Sequence, residues 1–208
     1  MCNWYRLKAR PDELIDLRWL PRDTRVPDIS SDFFPGMPVP VIRRHSDARQ
    51  LDEMTWGFPA FNGGRPINNT RSEKAASSPF WKRHLENRCL FPITGAIEWQ
   101  HRANLQTGKV QKIPHMISFR DAGIGAVAGI YGVGPGGACC SMMTCRANRL
   151  WSTIHNAKPD DPRMPCFLLD PESIATWLDP DRSYERALDL LQPLSDNADL
   201  LIAGPKDF

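Results

Sequence analysis

Cysteine is the second residue of the chain, behind Met1. Met1 is removable ahead of so small a residue, and its loss would leave an α-amine and a thiol on adjacent carbons. Such a pair is a reagent for aldehydes. The amine condenses to an imine, and the thiol then closes on the same carbon to give a thiazolidine ring. An unperturbed α-amine titrates at about 8 and a thiol at about 8.5, so a useful fraction of each nucleophile is available at neutral pH. The bland alternative is a small buried residue that happens to stand second. Glu98 is a candidate for the proton transfers: it follows an apolar run and is flanked by Ile97 and Trp99, where burial would raise its pKa. Its own alternative is an outward-facing strand glutamate.

The elements that must position these groups fit one domain over residues 1–208. The net charge of +2 gives no global basic field, although Arg43, Arg44, Arg65, Arg71, Lys74, Lys82, Arg83, Arg88, Arg102, Lys109 and Lys112 are locally dense. No apolar run approaches the roughly 20 residues of a membrane span. The N-terminus lacks the charged-then-apolar layout of a signal peptide, so a cytoplasmic location and no membrane partner are expected. The cysteines Cys2, Cys89, Cys139, Cys140, Cys145 and Cys166 are then expected to be reduced. Without a CxxC pair or a following histidine cluster, Cys139, Cys140 and Cys145 read as small hydrophobes in a strand, and no metal site is expected.

Pro11, Asp12 and Glu13 open a short helix over 11–20, and 21–38 reads as irregular. Strand-like runs follow at 39–44 and 51–58, then a glycine- and asparagine-rich loop over 62–69. Ser78 and Pro79 cap a helix whose apolar stripe is Phe80, Trp81 and Leu85. The stretch 89–147 is mostly strand, at 89–93, 95–100, 112–120, 126–133 and 138–146, with the glycines of 132–137 read as a turn. Helices open at Asp170-Pro171 and after Asp181, and 200–203 reads as a last short strand. The fold class is α+β, dominated by antiparallel sheet with surrounding helices.

A set of strings occurs in one order: Met1-Cys2-Asn3, Trp56-Gly57-Phe58, Asn69-Thr70-Arg71-Ser72-Glu73, Gly95-Ala96-Ile97-Glu98-Trp99, and Ile154-His155 ahead of Arg163-Met164-Pro165. Each is weak alone. Spread in this order over almost the full length, they resemble the SOS-response-associated peptidase (SRAP) family, which shields abasic sites in single-stranded DNA. The resemblance implies a single barrel-like domain and capture of the abasic aldehyde by Cys2 as a thiazolidine DNA–protein cross-link. It also implies autocatalytic loss of Met1, a weak lyase activity through β-elimination at the imine, and no cofactor.

Under that resemblance Glu98 is the general acid/base and His155 assists opening of the sugar ring. Asn69 holds Cys2 in register, a role that the neighbouring Asn68 could also fill; the Asn-x-Arg-x-Glu spacing favours Asn69. Arg71 would grip a phosphate flanking the lesion, with Arg163 on the other side. Trp56 and Phe58 suit stacking against bases, and equally suit the core. The chain departs from the family pattern twice. Residues 156–162 intervene as an inserted loop between His155 and Arg163, and a shifted alignment would put Asp161 in the place of His155; Thr153-Ile154 favours His155. Asn3-Trp4 replaces Gly-Arg, so a phosphate contact there is lost or replaced by stacking on Trp4. His45, His84, His101 and His115 lack matching context and are expected to be structural or at the surface.

The expected partner is single-stranded DNA carrying abasic sites, met by a monomer. The rival class is a non-catalytic module reading single-stranded or modified DNA through its aromatics and arginines. A cysteine peptidase acting on other proteins lacks support, since no internal Cys–His pair has recognisable spacing.

Overall fold

The computed structural model describes residues 2–60, 63–120, 123–196 and 201–205; Met1, Asn62 and Leu200 of the readings above lie outside them. In chain order the elements are β1 (Tyr5–Ala9), α1 (Pro11–Asp16), β2 (Ile29–Phe33), β3 (Pro38–His45), β4 (Ala48–Trp56), β5 (Asn69–Arg71), α2 (Ser72–Ala75) and α3 (Pro79–Lys82). They continue with β6 (Arg88–Ile93), β7 (Gly95–Ala103), β8 (Val110–Phe119), β9 (Gly125–Gly134), β10 (Gly137–Arg146), α4 (Arg149–Ile154), β11 (Arg163–Pro165) and β12 (Phe167–Leu168). The last are α5 (Pro171–Trp177), α6 (Tyr184–Ala187) and β13 (Leu201–Pro205).

β10, β4, β3, β6 and β9 hydrogen-bond in a ring, because β9 also pairs with β10. The result is a small barrel, which leaves no open edge along its circuit. All of its pairings are antiparallel except β10–β4, which is parallel. The polypeptide leaves the end of β4 at Gly57, whose φ of 125° and contact with Pro66 exclude a Cβ atom. It returns as β5, which extends the parallel pairing along β10 in the register Met142↔Asn69 to Thr144↔Arg71. That return delivers Asn69 and Arg71 to one end of the barrel.

A second sheet runs β13-β8-β7-β1-β2. β1 shows period-2 burial: Tyr5 and Leu7 are buried and Arg6 and Lys8 are not. Its polar partner β2 is an edge strand held partly by the Arg6–Asp32 ion pair. β1 was not among the expected strands, and β2 falls in the stretch read as irregular. The helix expected over 11–20 stops at Asp16, followed by Arg18 in the left-handed region at φ 57°. α4 was also not expected; its N-cap is Asn148, whose side chain accepts from Trp151 N–H at 2.9 Å.

The core holds Tyr5 in edge contact with both Trp56 and Phe91, which tilt against each other, together with Cys89 and Cys140. Cys139, Cys140 and Cys145 pack in β10 as small apolar residues, and all six cysteines are free thiols. Among the described residues no helix is long and apolar enough to cross a membrane, and no group of three or more His, Cys, Asp and Glu could hold a metal ion.

Candidate active site

The two sheets meet where the chain begins. Ile97 N–H donates to the Trp4 carbonyl at 2.9 Å and Tyr5 sits opposite Ala96, so the residues ahead of β1 run beside the start of β7. Cys2 is 2% exposed there. Its carbonyl accepts from Asn69 Nδ2 at 2.8 Å and from Asn68 Nδ2 at 3.2 Å. Both asparagines bond the Cys2 carbonyl, and their other contacts differ. Asn68 also reaches Asn3 Oδ1 at 3.0 Å and takes the Trp56 indole N–H on its own carbonyl at 2.9 Å. Asn69 makes the shorter bond, and its Oδ1 is buried without a donor among the described residues. A partnerless acceptor in such a place costs desolvation unless a donor arrives.

The Cys2 thiol donates to the Trp4 carbonyl at 3.6 Å. Burial first, and then the charge of Glu98, push its pKa up to about 12. The thiol is therefore protonated at neutral pH. Glu98 lies on β7 and is 5% exposed, because α4 packs across the strand and covers the face opposite Ile97. Gln100 Nε2 fastens the two elements by donating to the Thr153 carbonyl at 2.9 Å. Burial raises the Glu98 pKa above the ordinary carboxylate range, as expected from its apolar flanks.

α4 ends at His155, whose backbone N–H still bonds to the Trp151 carbonyl. Its Nδ1 accepts the Arg163 backbone N–H at 3.3 Å, which leaves Nε2 as the protonated nitrogen of the neutral ring, 3.9 Å from Glu98 Oε2. Burial lowers the His155 pKa to about 4, so at neutral pH this is a neutral imidazole beside a carboxyl and not an ion pair. Cys2, Asn69, Glu98 and His155 thus come together from the chain start, β5, β7 and the end of α4. The loop over 156–162 leaves His155 beside Glu98 and directs the Asp161 carboxylate to Arg71 Nη2 at 2.6 Å.

Arg163 lies inside the fold. It is 2% exposed, and its guanidinium bonds Glu73 Oε2 at 2.8 Å and the Thr144 carbonyl at 2.9 Å. Trp56 and Phe58 take the core alternative, Phe58 packing against Phe80, Trp81 and His84. The aromatics that do face outward near the site are Phe34 and Trp99, each 41% exposed, with Trp4 between them at ring separations of 5.1 and 6.5 Å. Of these only Trp4 was singled out in the sequence. Trp99 could have been found as the residue that must turn outward if Glu98 turns in.

A model of the family described as SOS response associated peptidase (SRAP) matches residues 1–202. No curated protein matches the sequence. Among solved structures, a protein from Bacteroides thetaiotaomicron superposes with a TM-score of 0.78 at 23% identity, covering 98% of this chain and 91% of that one. A protein from Bordetella bronchiseptica gives 0.76 at 21% identity with both chains covered in full. A phage-related protein from the same organism gives 0.75 at 22% identity, covering 99% of this chain and 94% of that one. These likenesses establish the shared fold.

Proposed function

The chain belongs to the SOS response associated peptidase (SRAP) family, and from that premise we propose that it captures abasic sites in single-stranded DNA through Cys2. The reading rests on one observation above the others: the carbonyl of Cys2 is clamped by Asn69 while its thiol lies within the field of the buried Glu98. A residue whose only task was to fill space would need neither.

After loss of Met1, the Cys2 amine adds to the aldehyde of the opened sugar to give a carbinolamine. The carbinolamine loses water, with its hydroxyl protonated by Glu98, and leaves an imine. The S–H bond then adds across C=N: sulfur bonds to carbon and the imine nitrogen gains the proton. The amine must act first, because the thiol is held protonated. Asn69 Oδ1 is the acceptor that would orient the amine N–H. As the hemiacetal opens, the Glu98 carboxyl would give its proton to the sugar ring oxygen and take the proton of the anomeric hydroxyl, while the neutral His155 holds the ring oxygen by a hydrogen bond from Nε2–H. The same four groups could serve removal of Met1 by the chain itself, and β-elimination at the imine would give a weak lyase activity when closure is slow. Arg71 would hold a flanking phosphate, and Trp4, Phe34 and Trp99 would stack against neighbouring bases.

The test mixes the protein with a single-stranded oligonucleotide carrying one abasic site, followed by denaturing electrophoresis beside Cys2→Ala and an intact-base control. A heat-stable shifted band that requires both the lesion and Cys2 is the expected result. Normal native-gel shifts with no covalent band would leave only a DNA-binding module.

A further inference from the structure

We propose that Asp161, carried by the inserted loop, is an internal competitor for Arg71: its carboxylate holds the guanidinium that a DNA phosphate must take, so a flanking phosphate binds only by displacing it. The inference rests on the reading of Arg71 as a DNA contact.

The geometry is that of a phosphate mimic. Asp161 Oδ2 lies 2.6 Å from Arg71 Nη2, and its other oxygen lies 3.6 Å from Arg163 Nη1. Carboxylate and phosphate oxygens meet a guanidinium in the same charge-assisted way, so the two anions exclude each other there. Although partial burial opposes ionisation, Arg71 and then Arg163 hold the Asp161 carboxyl below its usual range, and it is charged at neutral pH.

The loop is built to put it there. At one end Asn156 makes reciprocal bonds with the backbone of His101, Nδ2 to carbonyl at 2.9 Å and N–H to Oδ1 at 2.7 Å. At the other, the Pro162 carbonyl accepts Ala147 N–H at 3.0 Å, and Asp161 N–H closes a turn onto the Lys158 carbonyl at 3.1 Å. The ion pair itself is half-buried, its side chains 33% and 35% exposed, so solvent screens it in part and its contribution to folding is modest.

Arg71 stands at the joint of two hollows. One, of about 420 Å³, also holds Asn69, Lys74 and Trp81; the other, of about 500 Å³, also holds Arg146 and Asp161. A strand leaving the site past Asn69 meets Arg71 next. Asp161 there weakens the hold on intact strands, while a lesion-bearing strand, once bonded to Cys2, is retained whatever its affinity. The loop thereby shortens the stay of intact strands while the covalently bonded strand is kept.

The experiment measures binding of an intact single-stranded oligonucleotide by fluorescence anisotropy over a salt series. The proteins are wild type, Asp161→Asn, Asp161→Glu, Arg71→Ala and the Arg71→Ala/Asp161→Asn double variant, each first shown to melt cooperatively. Asp161→Asn is expected to tighten binding roughly 5-fold, the size of a partly screened ion pair. Its plot of log affinity against log salt steepens by up to about 0.7. Asp161→Glu stays near wild type, and the gain vanishes in the double variant. If Arg71→Ala weakens wild-type binding while Asp161→Asn changes nothing, Arg71 stands as a contact and the competitor is overturned. If neither substitution moves binding, both readings fall. A tightened Asp161→Asn alongside absent cross-linking to abasic DNA would retain the competitor and reject the capture chemistry.

Discussion

His155 Nε2 faces Glu98 Oε2 at 3.9 Å, and burial drives both groups toward their neutral forms. Burial keeps this carboxyl protonated to higher pH than an ordinary one, and the imidazole beside it carries its proton on the facing nitrogen. The capture proposed above draws on both groups. Glu98→Gln keeps the shape and removes the ionisation, so cross-linking should slow by about 10²- to 10⁴-fold. Glu98 gives its proton in the dehydration step, and that protonated form is lost as pH rises through its raised pKa. A fall in rate of this sense, set above the ordinary value of 4.5, should therefore be missing from Glu98→Gln. Single-turnover rates across pH on denaturing gels check both outcomes. A Glu98→Gln rate within a few-fold of wild type would remove Glu98 from the chemistry.

The depressed pKa of His155 ties stability to pH in a definite direction. Unfolded, the ring binds a proton as pH falls below about 6.5; folded, it resists until about 4. Between those values the unfolded state holds more protons, so this contribution to stability is lost as pH falls through the window. Glu98 works in the opposite sense, its raised pKa favouring the fold at low pH. Thermal unfolding of His155→Gln should fall less steeply from pH 6.5 to 4 than that of wild type. Parallel curves would mean that His155 is solvated.

How far the site was legible in the sequence depends on the range of the signal. Glu98 could be read as buried because Ile97 and Trp99 fix its strand and its apolar setting. The two-asparagine clamp could not be apportioned, since Asn68 and Asn69 reach Cys2 only after β5 aligns with β10. The main strands showed in their hydrophobic patterns. β2 did not, because Ser30, Ser31 and Asp32 form a strand only by pairing with β1. The direction in which Arg163 points was equally hidden: an arginine beside a motif histidine looks like a ligand group until Glu73 and Thr144 are seen around it.

The Asn69 amide can be tested apart from that of Asn68. Asn69→Ala removes one donor from the Cys2 carbonyl but leaves Asn68 in place. It should cost about 1 kcal/mol in stability, yet slow capture about 100-fold if the missing group also orients the amine. Asn68→Ala releases Trp56 only indirectly, since the indole bonds its backbone carbonyl, and should affect capture less. Melting and cross-linking rates on both variants separate the roles. Equal loss of rate would mean that the carbonyl clamp alone matters.

Arg163 and Arg71 should part company in the same way. Arg163→Met leaves the Thr144 carbonyl without its charged donor and should cost roughly 1.5–3 kcal/mol, with the salt dependence of DNA binding unchanged. Arg71→Ala should move the melting temperature little, because its ion pair is only half-buried and partly screened by solvent. Denaturant unfolding beside salt titrations of binding reads both. A flattened salt slope in Arg163→Met would return Arg163 to the phosphate-binding face.

The aromatics divide by exposure. Trp56 is fully buried, in edge contact with the Tyr5 ring at 5.2 Å, and its indole N–H is bonded. Trp56→Ala should cost about 3–5 kcal/mol and damage binding only as the fold fails. Trp99 presents much of its ring to solvent one residue from Glu98, and Trp4 braces it from the side of Phe34. A base stacked there is worth about 1–3 kcal/mol, so Trp99→Ala should weaken single-stranded DNA binding by roughly 5- to 150-fold at an unchanged melting temperature. Quenching of tryptophan fluorescence on adding DNA should fall in step. Full quenching in Trp99→Ala would place the bases elsewhere, with Trp81 beside Arg71 and Lys74 the next ring to test.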